Sequence, residues 1–245
     1  MKIDILTLFP EMFTPLTSSI LGKAEEKGIL DIKLTNIRDY STDKHRKADD
    51  YPFGGGMGMV MLPQPIFDAL NAVGTEGKKL IYMSPRGKIL DQAKIQELAS
   101  CEELVILCGH YEGVDQRILD HFGMEEISIG DYILTGGELP AMVLVDSVAR
   151  MLPDVLASTE AALEESVYSG LLEYPQYTKP REYEGLEVPE VLTSGNHKMI
   201  ALWKFEKSLE ITKERRPDLF ERFLENADKL TKDEKKILEK ITKNP

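Results

Sequence analysis

The chain has 245 residues, of which 42% are hydrophobic and 29% are charged, which is typical of a folded protein with one large domain or two smaller ones. Its formal net charge of -12 argues against sequence-independent binding to DNA, since phosphates repel an acidic surface, so any nucleic-acid site must be local. Apolar runs are too short for a transmembrane helix and no signal-peptide pattern is present, which predicts a cytoplasmic protein without a membrane partner. Cys101 and Cys108 lack the spacing of a zinc site or a disulfide framework, so we expect buried, reduced thiols.

The first part of the chain alternates between strand and helix patterns. Strands are predicted over 2–9, 29–37, 79–83, 104–108 and 127–129, and helices over 17–27, 65–73, 91–100 and 141–152. Residues 38–61, with four glycines between Gly54 and Gly58, are predicted to form a long, polar loop. The alternation predicts an α/β fold with an open parallel sheet.

The character of the chain changes after residue 152. The acidic stretch 153–169 is predicted to be a mobile linker, and 170–245 to be a small helical domain with helices over 196–215, 217–226 and 232–243. Between residues 197 and 216, six Lys or Arg accompany three Glu, which suggests a local nucleic-acid surface. Trp203, on the first of these helices, is expected to be a core anchor rather than a stacking platform.

Glycines and polar residues follow three neighbouring strands, over 83–87, 109–117 and 128–137. Ligands of parallel α/β sheets bind outside the carboxyl ends of the strands, so these loops are expected to line one pocket. Their backbone groups could bind a planar base and a ribose between apolar walls, although tight turns alone also explain the glycines. The fingerprints of dinucleotide-binding and P-loop proteins are absent, and so is H-E-x-x-H.

Several charged residues allow both a structural and a functional interpretation. Asp146 and Arg150 are four residues apart on the apolar helix, where they could form an ordinary ion pair, or Arg150 could meet a substrate. Glu164 and Glu165 are solvated linker carboxylates unless one serves as a base. His45, Arg46 and Lys47 lie between Tyr40 and Tyr51, which suits either single-stranded RNA or a solvated loop.

Several strings together resemble the bacterial tRNA (guanine-N1)-methyltransferases, which belong to the SPOUT class of knotted proteins. They are DKHRKADDYPFGGGMGMVM, YMSPRG, CGHYEGVDQR, EISIGDYILTGGELPAMVLVDSVAR, GLLEYPQYTKP and VPEVLTSGNH, in this order from residue 1 to about 220. The resemblance implies a parallel sheet that ends in a trefoil knot over 1–152, followed by the linker and a small all-helical, tRNA-binding domain. It also implies a homodimer whose active sites are shared between subunits, and a tRNA substrate methylated on the guanine immediately 3′ of the anticodon.

The same resemblance implies that S-adenosylmethionine is the methyl donor and that a magnesium ion takes part, with ligands that cannot be read from the sequence. The implied donor-binding residues are Tyr82, Met83, Ser84, Pro85, Gly109, Tyr111, Glu112, Gly113, Ser128, Ile129, Gly130, Asp131, Tyr132, Ile133, Leu134, Gly136 and Gly137. The implied tRNA contacts are His45, Arg46, Asp50, Lys179 and Arg215. Lys179 departs from the family, which usually has arginine there.

Two residues are implied to carry the chemistry. Arg150 corresponds to the family's catalytic arginine, and Glu165 occupies the position of its catalytic aspartate, with Asp154 and Glu164 as fallback candidates. Guanine N1 carries a proton at neutral pH, so a base and a cation near O6 are needed. The remaining alternatives are a knotted methyltransferase with another RNA target and an RNA-binding protein without catalysis.

Overall fold

The computed structural model describes residues 1–156 and 170–243 of the chain. The molecule divides into two compact units, Met1–Thr159 and Glu160–Pro245. The first unit contains a parallel sheet with helices on both faces, and the second is mainly helical. None of the described helices combines the length and apolar character that a bilayer crossing requires.

Five parallel strands form the sheet of the first unit, as the alternating pattern predicts. They are β1 (Lys2–Thr7), β2 (Asp31–Asn36), β5 (Lys79–Ile89), β6 (Glu103–Cys108) and β7 (Glu125–Ser128). Their order across the sheet is β2-β1-β6-β5-β7, with every neighbouring pair parallel. Strand β6 lies at the centre, and its apolar residues from Leu104 to Cys108 are completely buried, because helices cover both faces of the sheet.

Five helices accompany these strands: α1 (Ser19–Glu26), α2 (Pro63–Val73), α3 (Gln92–Ala99), α4 (Gln116–Phe122) and α5 (Glu138–Ala149). Short 3-10 segments cover Pro10–Thr17 and Ile37–Tyr40. Asp91 caps α3, since its carboxylate accepts a hydrogen bond of 2.9 Å from the Lys94 backbone N–H. Helices α1, α3 and α5 contribute to the core on one face, and α2 and α4 to the core on the other.

The structure differs from the predicted elements in several places. Residues 38–61 contain a short antiparallel pair, β3 (Asp49–Asp50) with β4 (Val60–Met61), in which Asp49 pairs with Met61 and Asp50 with Val60. Helix α4 was not predicted, since it has only seven residues and follows directly from a glycine-rich turn. Helix α5 was expected to be buried all round, yet Leu139 and Val143 are 48% and 46% exposed, so one apolar face is open in the single chain. Cys101 is partly exposed, whereas Cys108 is buried as expected.

Within residues 170–243, the second unit contains a hairpin and four α-helices. The hairpin joins β8 (Glu182–Tyr183) to β9 (Leu186–Glu187), and the helices are α6 (Glu190–Thr193), α7 (His197–Arg215), α8 (Pro217–Glu225) and α9 (Lys232–Lys243). Leu171, Leu209, Phe220 and Ile241 form its small core. Trp203 does not belong to that core: it is half-buried and lies 6.3 Å from the Tyr177 ring, so the expectation of a core anchor is wrong.

Candidate functional site

A cavity of about 330 Å³ lies at the carboxyl ends of β5, β6 and β7. This volume falls within the range of small-molecule sites. Three stretches of the chain line it, and each of them follows the buried part of one strand. The lining residues are Tyr82–Arg86, Gly109–Val114, Gln116, Ile127–Gly130, Tyr132–Gly137 and Pro140.

The first wall is a bulge in β5. Ile127 on β7 pairs with both Met83 and Lys88, so the four residues between these two leave the ladder. The bulge depends on Gly87, because a Cβ at this position would lie 2.4 Å from the Glu126 backbone. A hydrogen bond of 3.2 Å from the Arg86 N–H to the Ser84 hydroxyl closes the turn. Because of this bulge, Ser84, Pro85 and Arg86 line the cavity.

The second wall joins the end of β6 to the glycine loop before α5. The Gly137 N–H donates a hydrogen bond of 2.8 Å to the Gly109 carbonyl. A Cβ on Gly137 would lie 2.9 Å from the Cys108 Cα, and a Cβ on Gly109 would lie 2.6 Å from the Tyr82 hydroxyl oxygen. Burial raises the pKa of the Tyr82 phenol, so it is protonated at neutral pH. The glycines here allow backbones to approach where side chains cannot fit.

Glu138, at the start of α5, is a buried carboxylate behind this wall. It is 1% exposed and accepts a hydrogen bond of 2.8 Å from the Thr7 hydroxyl. Its Oε2 and the His110 Nε2 both lie within 3.0 Å of the position that a Cβ would take on Gly136. Burial, followed by the charge of Glu138, raises the pKa of the Cys108 thiol well above its usual value, so this thiol is not a nucleophile at neutral pH.

The cavity brings together all but one of the donor-binding residues that the resemblance implies. The exception is Asp131, which does not belong to the lining. Adenosine fits the kind of walls found here, since backbone groups alternate with the apolar side chains of Ile129, Ile133 and Leu134. Their role in binding stays a prediction.

Seven lining residues were not among the predicted ones: Arg86, His110, Val114, Gln116, Ile127, Thr135 and Pro140. Most of them lie within the glycine-bearing stretches, so extending each stretch without gaps would have found them. Gln116 lies on the unpredicted helix α4, at the end of the second stretch and beside the bulge. Ile127 and Pro140 flank the third stretch.

The glycine-rich loop between β3 and β4 adjoins the cavity. The Glu112 N–H donates a hydrogen bond of 2.9 Å to the Met59 carbonyl, and a Cβ on Gly58 would lie 2.6 Å from the Glu112 carboxylate. At the tip of this loop Phe53 is fully exposed, and Tyr51 and Met57 are mostly exposed. A tight anchor at one end and apolar side chains in solvent at the other are typical of a loop that contacts a ligand.

Of the predicted tRNA contacts, three lie together in the first unit. His45, Arg46 and Asp50 are all exposed. Arg46 forms an ion pair of 3.0 Å with Asp39. A hydrogen bond of 2.8 Å from Lys47 lowers the pKa of the Asp50 carboxyl, which is therefore ionised at neutral pH.

The other two predicted contacts, Lys179 and Arg215, are exposed in the second unit. Part of the positive charge of α7 is neutralised there. Lys198 pairs with Asp233 at 2.7 Å, and Lys207 pairs with Glu210 at 2.6 Å. Asp233 lies outside residues 197–216, so it neutralises one cation that the residue count leaves unpaired.

Arg150, one of the two residues implied to catalyse, does not line the cavity of its own chain. Arg150 follows the last residue of α5, and its backbone N–H donates to the Asp146 carbonyl at 3.1 Å. Because α5 has 12 residues and rises 1.5 Å per residue, Arg150 lies about 18 Å along the helix from the glycine loop. Glu164 and Glu165 lie outside the described residues. Asp154 is exposed, with its carbonyl 3.4 Å from the Lys27 ammonium.

No group of three or more His, Cys, Asp or Glu side chains within 1–156 and 170–243 could hold a metal ion. Mg²⁺ prefers several oxygen ligands, and these residues offer it no cluster of carboxylates. No step of the reaction is therefore assigned to a metal.

Comparison with known proteins identifies the family. The family model for tRNA (Guanine-1)-methyltransferase TrmD matches residues 1–222. The chain belongs to this family. A tRNA (guanine-N(1)-)-methyltransferase of Clostridium acetobutylicum is 54% identical over 97% of this chain and 96% of the relative. Proteins of the same name from Alkaliphilus metalliredigens and Clostridium perfringens are 60% and 55% identical, over 89% and 97% of this chain and 91% and 99% of their own lengths. The match to the family includes all three stretches that line the cavity.

Proposed function

We propose that this protein transfers a methyl group from S-adenosylmethionine to N1 of the guanine immediately 3′ of the anticodon (position 37) in tRNA. The chain belongs to a family of tRNA methyltransferases, and the family model covers residues 1–222. The observation that carries the proposal is the cavity at three adjacent strand ends, built from the stretches that family membership would make the donor site. A cytoplasmic location follows from the substrate.

The deciding experiment is a methyl-transfer assay on two tRNA transcripts that differ only in the nucleotide after the anticodon. With guanine there, mass spectrometry should detect one 1-methylguanosine at that position, and with adenosine no product should form. Methylation at another position would favour the related knotted enzymes with a different RNA target. Tight RNA binding without any methylation would favour a non-catalytic RNA-binding protein.

The donor is proposed to lie in the cavity, with its adenosine between the bulge of β5 and the loop before α5. Ile129, Ile133 and Leu134 offer apolar contacts for a planar base, and backbone N–H and C=O groups offer hydrogen bonds for its edge. S-adenosylmethionine supplies an electrophilic methyl group on a sulfonium. The close contact between the Gly109 and Gly137 backbones forms one wall of the cavity in which the donor would lie.

Gly137→Ala should lower the affinity for S-adenosylmethionine by about tenfold or more, because the added Cβ displaces backbone rather than a flexible side chain. Gly137 has φ of −82°, which alanine adopts without strain, so the effect comes from the contact alone. Calorimetric titration with the donor measures it. Gly77→Ala is the control: with φ of +75° and no neighbour within 4 Å, it strains the backbone away from the cavity. Equal losses in both variants would contradict a specific role for the glycine contact.

Two residues are proposed for the chemistry. The new bond joins guanine N1 to the methyl carbon while the bond from that carbon to sulfur breaks, which leaves S-adenosylhomocysteine. The Glu165 carboxylate takes the N1 proton, and the Arg150 guanidinium stabilises the negative charge that develops on O6. Arg150 is half-buried at the end of α5.

A homodimer with shared active sites is proposed from α5. Leu139 and Val143 are one helical turn apart and form an open apolar stripe that continues toward Asp146. Arg150 does not line the cavity of its own chain, and it lies about 18 Å along the helix from the glycine loop. Pairing of this stripe with a second copy would bury it and bring each arginine to its partner's cavity.

We also propose that the first unit has the trefoil knot of the SPOUT class. Two contacts support this: the chain after β7 returns beside the end of β6, where His110 bridges Gly136, and Gly87 packs on the backbone at Glu126. A knot at these strand ends requires that the segments after β5, β6 and β7 pass close to one another, as these contacts do. The division into a knotted domain, a linker over 153–169 and a helical tRNA-binding domain is part of the same proposal.

The surface of the first unit that carries His45, Arg46 and Asp50 is proposed to bind the anticodon arm. The glycine-rich loop between β3 and β4 follows this surface in the chain and adjoins the cavity through Met59 and Glu112, so a base held by that loop would lie near the donor. Cations provide phosphate contacts, and the exposed rings of Tyr51 and Phe53 provide stacking surfaces. Lys179 and Arg215 are proposed to contact the same tRNA from the second unit.

Arg46→Ala should weaken tRNA binding several-fold and reduce the slope of log affinity against log salt by about 1, as expected for one lost phosphate contact. Fluorescence anisotropy with labelled tRNA at several salt concentrations measures both. Lys33→Ala is the matched control, since Lys33 is an exposed cation on β2, outside this loop. Donor affinity should not change in either variant. An unchanged salt slope in Arg46→Ala would remove this residue from the RNA surface.

A further inference from the structure

Arg86 has a distinct place in the cavity. It lies in the bulge of β5, and it is the one side chain with a permanent positive charge among the described residues of the lining. Glu112 is the one carboxylate in the same set. The remaining side chains of the lining are neutral or apolar, apart from His110. A ligand with both a negative and a positive end would therefore meet one partner for each charge.

The Arg86 guanidinium is held in a fixed orientation. Its Nε and Nη2 donate to the two carboxylate oxygens of Glu126 at 3.1 Å each, and Nη2 also donates to the Gln116 side-chain oxygen at 3.1 Å. These bonds come from strand β7 and helix α4, so two elements position one planar group. The Nη1 nitrogen has no hydrogen-bond partner among the described residues, and both of its hydrogens remain available to a ligand.

We propose that the free edge of Arg86 binds the carboxylate of the amino-acid part of the methyl donor. This rests on the proposed function, which places S-adenosylmethionine in the cavity. A guanidinium binds carboxylates through directed N–H bonds, and one that is already oriented loses little conformational freedom on binding. Glu126 fixes this orientation, and the Glu112 carboxylate is left for the donor's ammonium group.

An ion pair with Glu126 alone does not account for this arrangement. The Arg86 side chain is 61% exposed, and pairs exposed to this degree contribute little to stability. The pair would be equally strong on the outer surface of β7, yet the bulge brings the arginine to the edge of the cavity. The alternative ligand for an exposed arginine is an RNA phosphate, which the experiment must distinguish.

The test compares S-adenosylmethionine with decarboxylated S-adenosylmethionine, which lacks the carboxylate and keeps the ammonium and sulfonium groups. Calorimetry on the full-length protein should show that the wild type binds the complete donor about tenfold more tightly, a difference of about 1.4 kcal/mol. Arg86→Gln should abolish this preference by weakening the complete donor and leaving the decarboxylated one unchanged. Arg86→Lys keeps the positive charge but lacks the planar guanidinium with its directed N–H groups, so it should retain a small part of the preference.

Lys88→Gln is the matched control, because Lys88 is an exposed cation on the same strand and does not line the cavity. It should keep the wild-type preference. Equal weakening of both donors in Arg86→Gln would show that the arginine only supports the bulge, and unchanged binding of both with weaker tRNA binding would assign it to a phosphate. Either result overturns the inference while the proposed function stands. A wild type that binds neither compound would contradict the proposed function itself.

Discussion

Glu165→Gln should lower kcat for tRNA methylation by a factor of about 10²–10⁴, the usual contribution of a general base. The amide keeps the size of the side chain but cannot take the N1 proton of guanine. Binding of S-adenosylmethionine should remain within about twofold of the wild type, because a base acts on the nucleotide and not on the donor. Single-turnover methylation together with donor calorimetry separates the two effects.

Three further variants control this prediction. Glu165→Asp, which restores the residue usual in the family, should keep much of the activity, since it retains a carboxylate with a shorter reach. Glu164→Gln and Asp154→Asn remove the other two candidate carboxylates and should leave kcat close to normal. If Asp154→Asn or Glu164→Gln abolished turnover while Glu165→Gln did not, the base would be reassigned to that residue.

Arg150→Ala should lower kcat by about 10²–10³-fold, the range measured when one group that stabilises a developing oxyanion is removed. The arginine acts on charge that appears only in the transition state, so the affinity for the donor should be nearly unchanged. The location of Arg150 at the far end of α5 adds a stronger test, since a shared site requires the arginine of one subunit and the cavity of the other.

Mixed dimers provide that test. One subunit carries Arg150→Ala with an intact cavity, and the other carries Gly137→Ala with an intact arginine. If the sites are shared, the mixed dimer contains one complete site. At a donor concentration below the Kd of Gly137→Ala, where both parent dimers have little activity, it should regain roughly half of the wild-type activity. Mixed dimers as inactive as both parents would place Arg150 in the site of its own chain. A monomer in solution would reject the dimer altogether.

The cavity could be predicted from the sequence because glycines follow the strands whose ends line it. Glycines that follow the buried strands, such as Gly109 after β6, cannot be explained by helix or strand patterns and therefore mark a turn at a strand end. Parallel strands place their carboxyl ends at one edge, so the three stretches had to meet if the strands were neighbours in the sheet. The observed order, with β5 between β6 and β7, provides that neighbourhood.

Other features of the site could not be found in this way. The bulge that aims Arg86 at the cavity arises because Ile127 pairs with both Met83 and Lys88, and a register shift leaves no mark in the sequence. The buried Glu138 lies beside two glycines and looks like a solvated residue in the sequence, yet Thr7, 131 positions away, is its hydrogen-bond partner. Contacts of this kind depend on which strands become neighbours.

The burial of helix α5 was also predicted only in part from the sequence. Its composition is apolar on nearly every face, which predicts burial, but Leu139 and Val143 are exposed in the single chain. Hydropathy shows that a face avoids water and not what covers it, so the pattern cannot tell a core from an interface with a second copy. The prediction of a buried helix holds for the face that packs on the sheet.

The sequence by itself determined the alternating α/β architecture, the family and the stretches that line the cavity, because each of these is encoded in local periodicity or in continuous strings. The tertiary structure alone decided that Arg86 is oriented by Glu126, and that neither Asp131 nor Arg150 lines the cavity of its own chain. The physical reason is that these features depend on strand order, register and the direction of a helix, which are set by packing between segments distant in the chain.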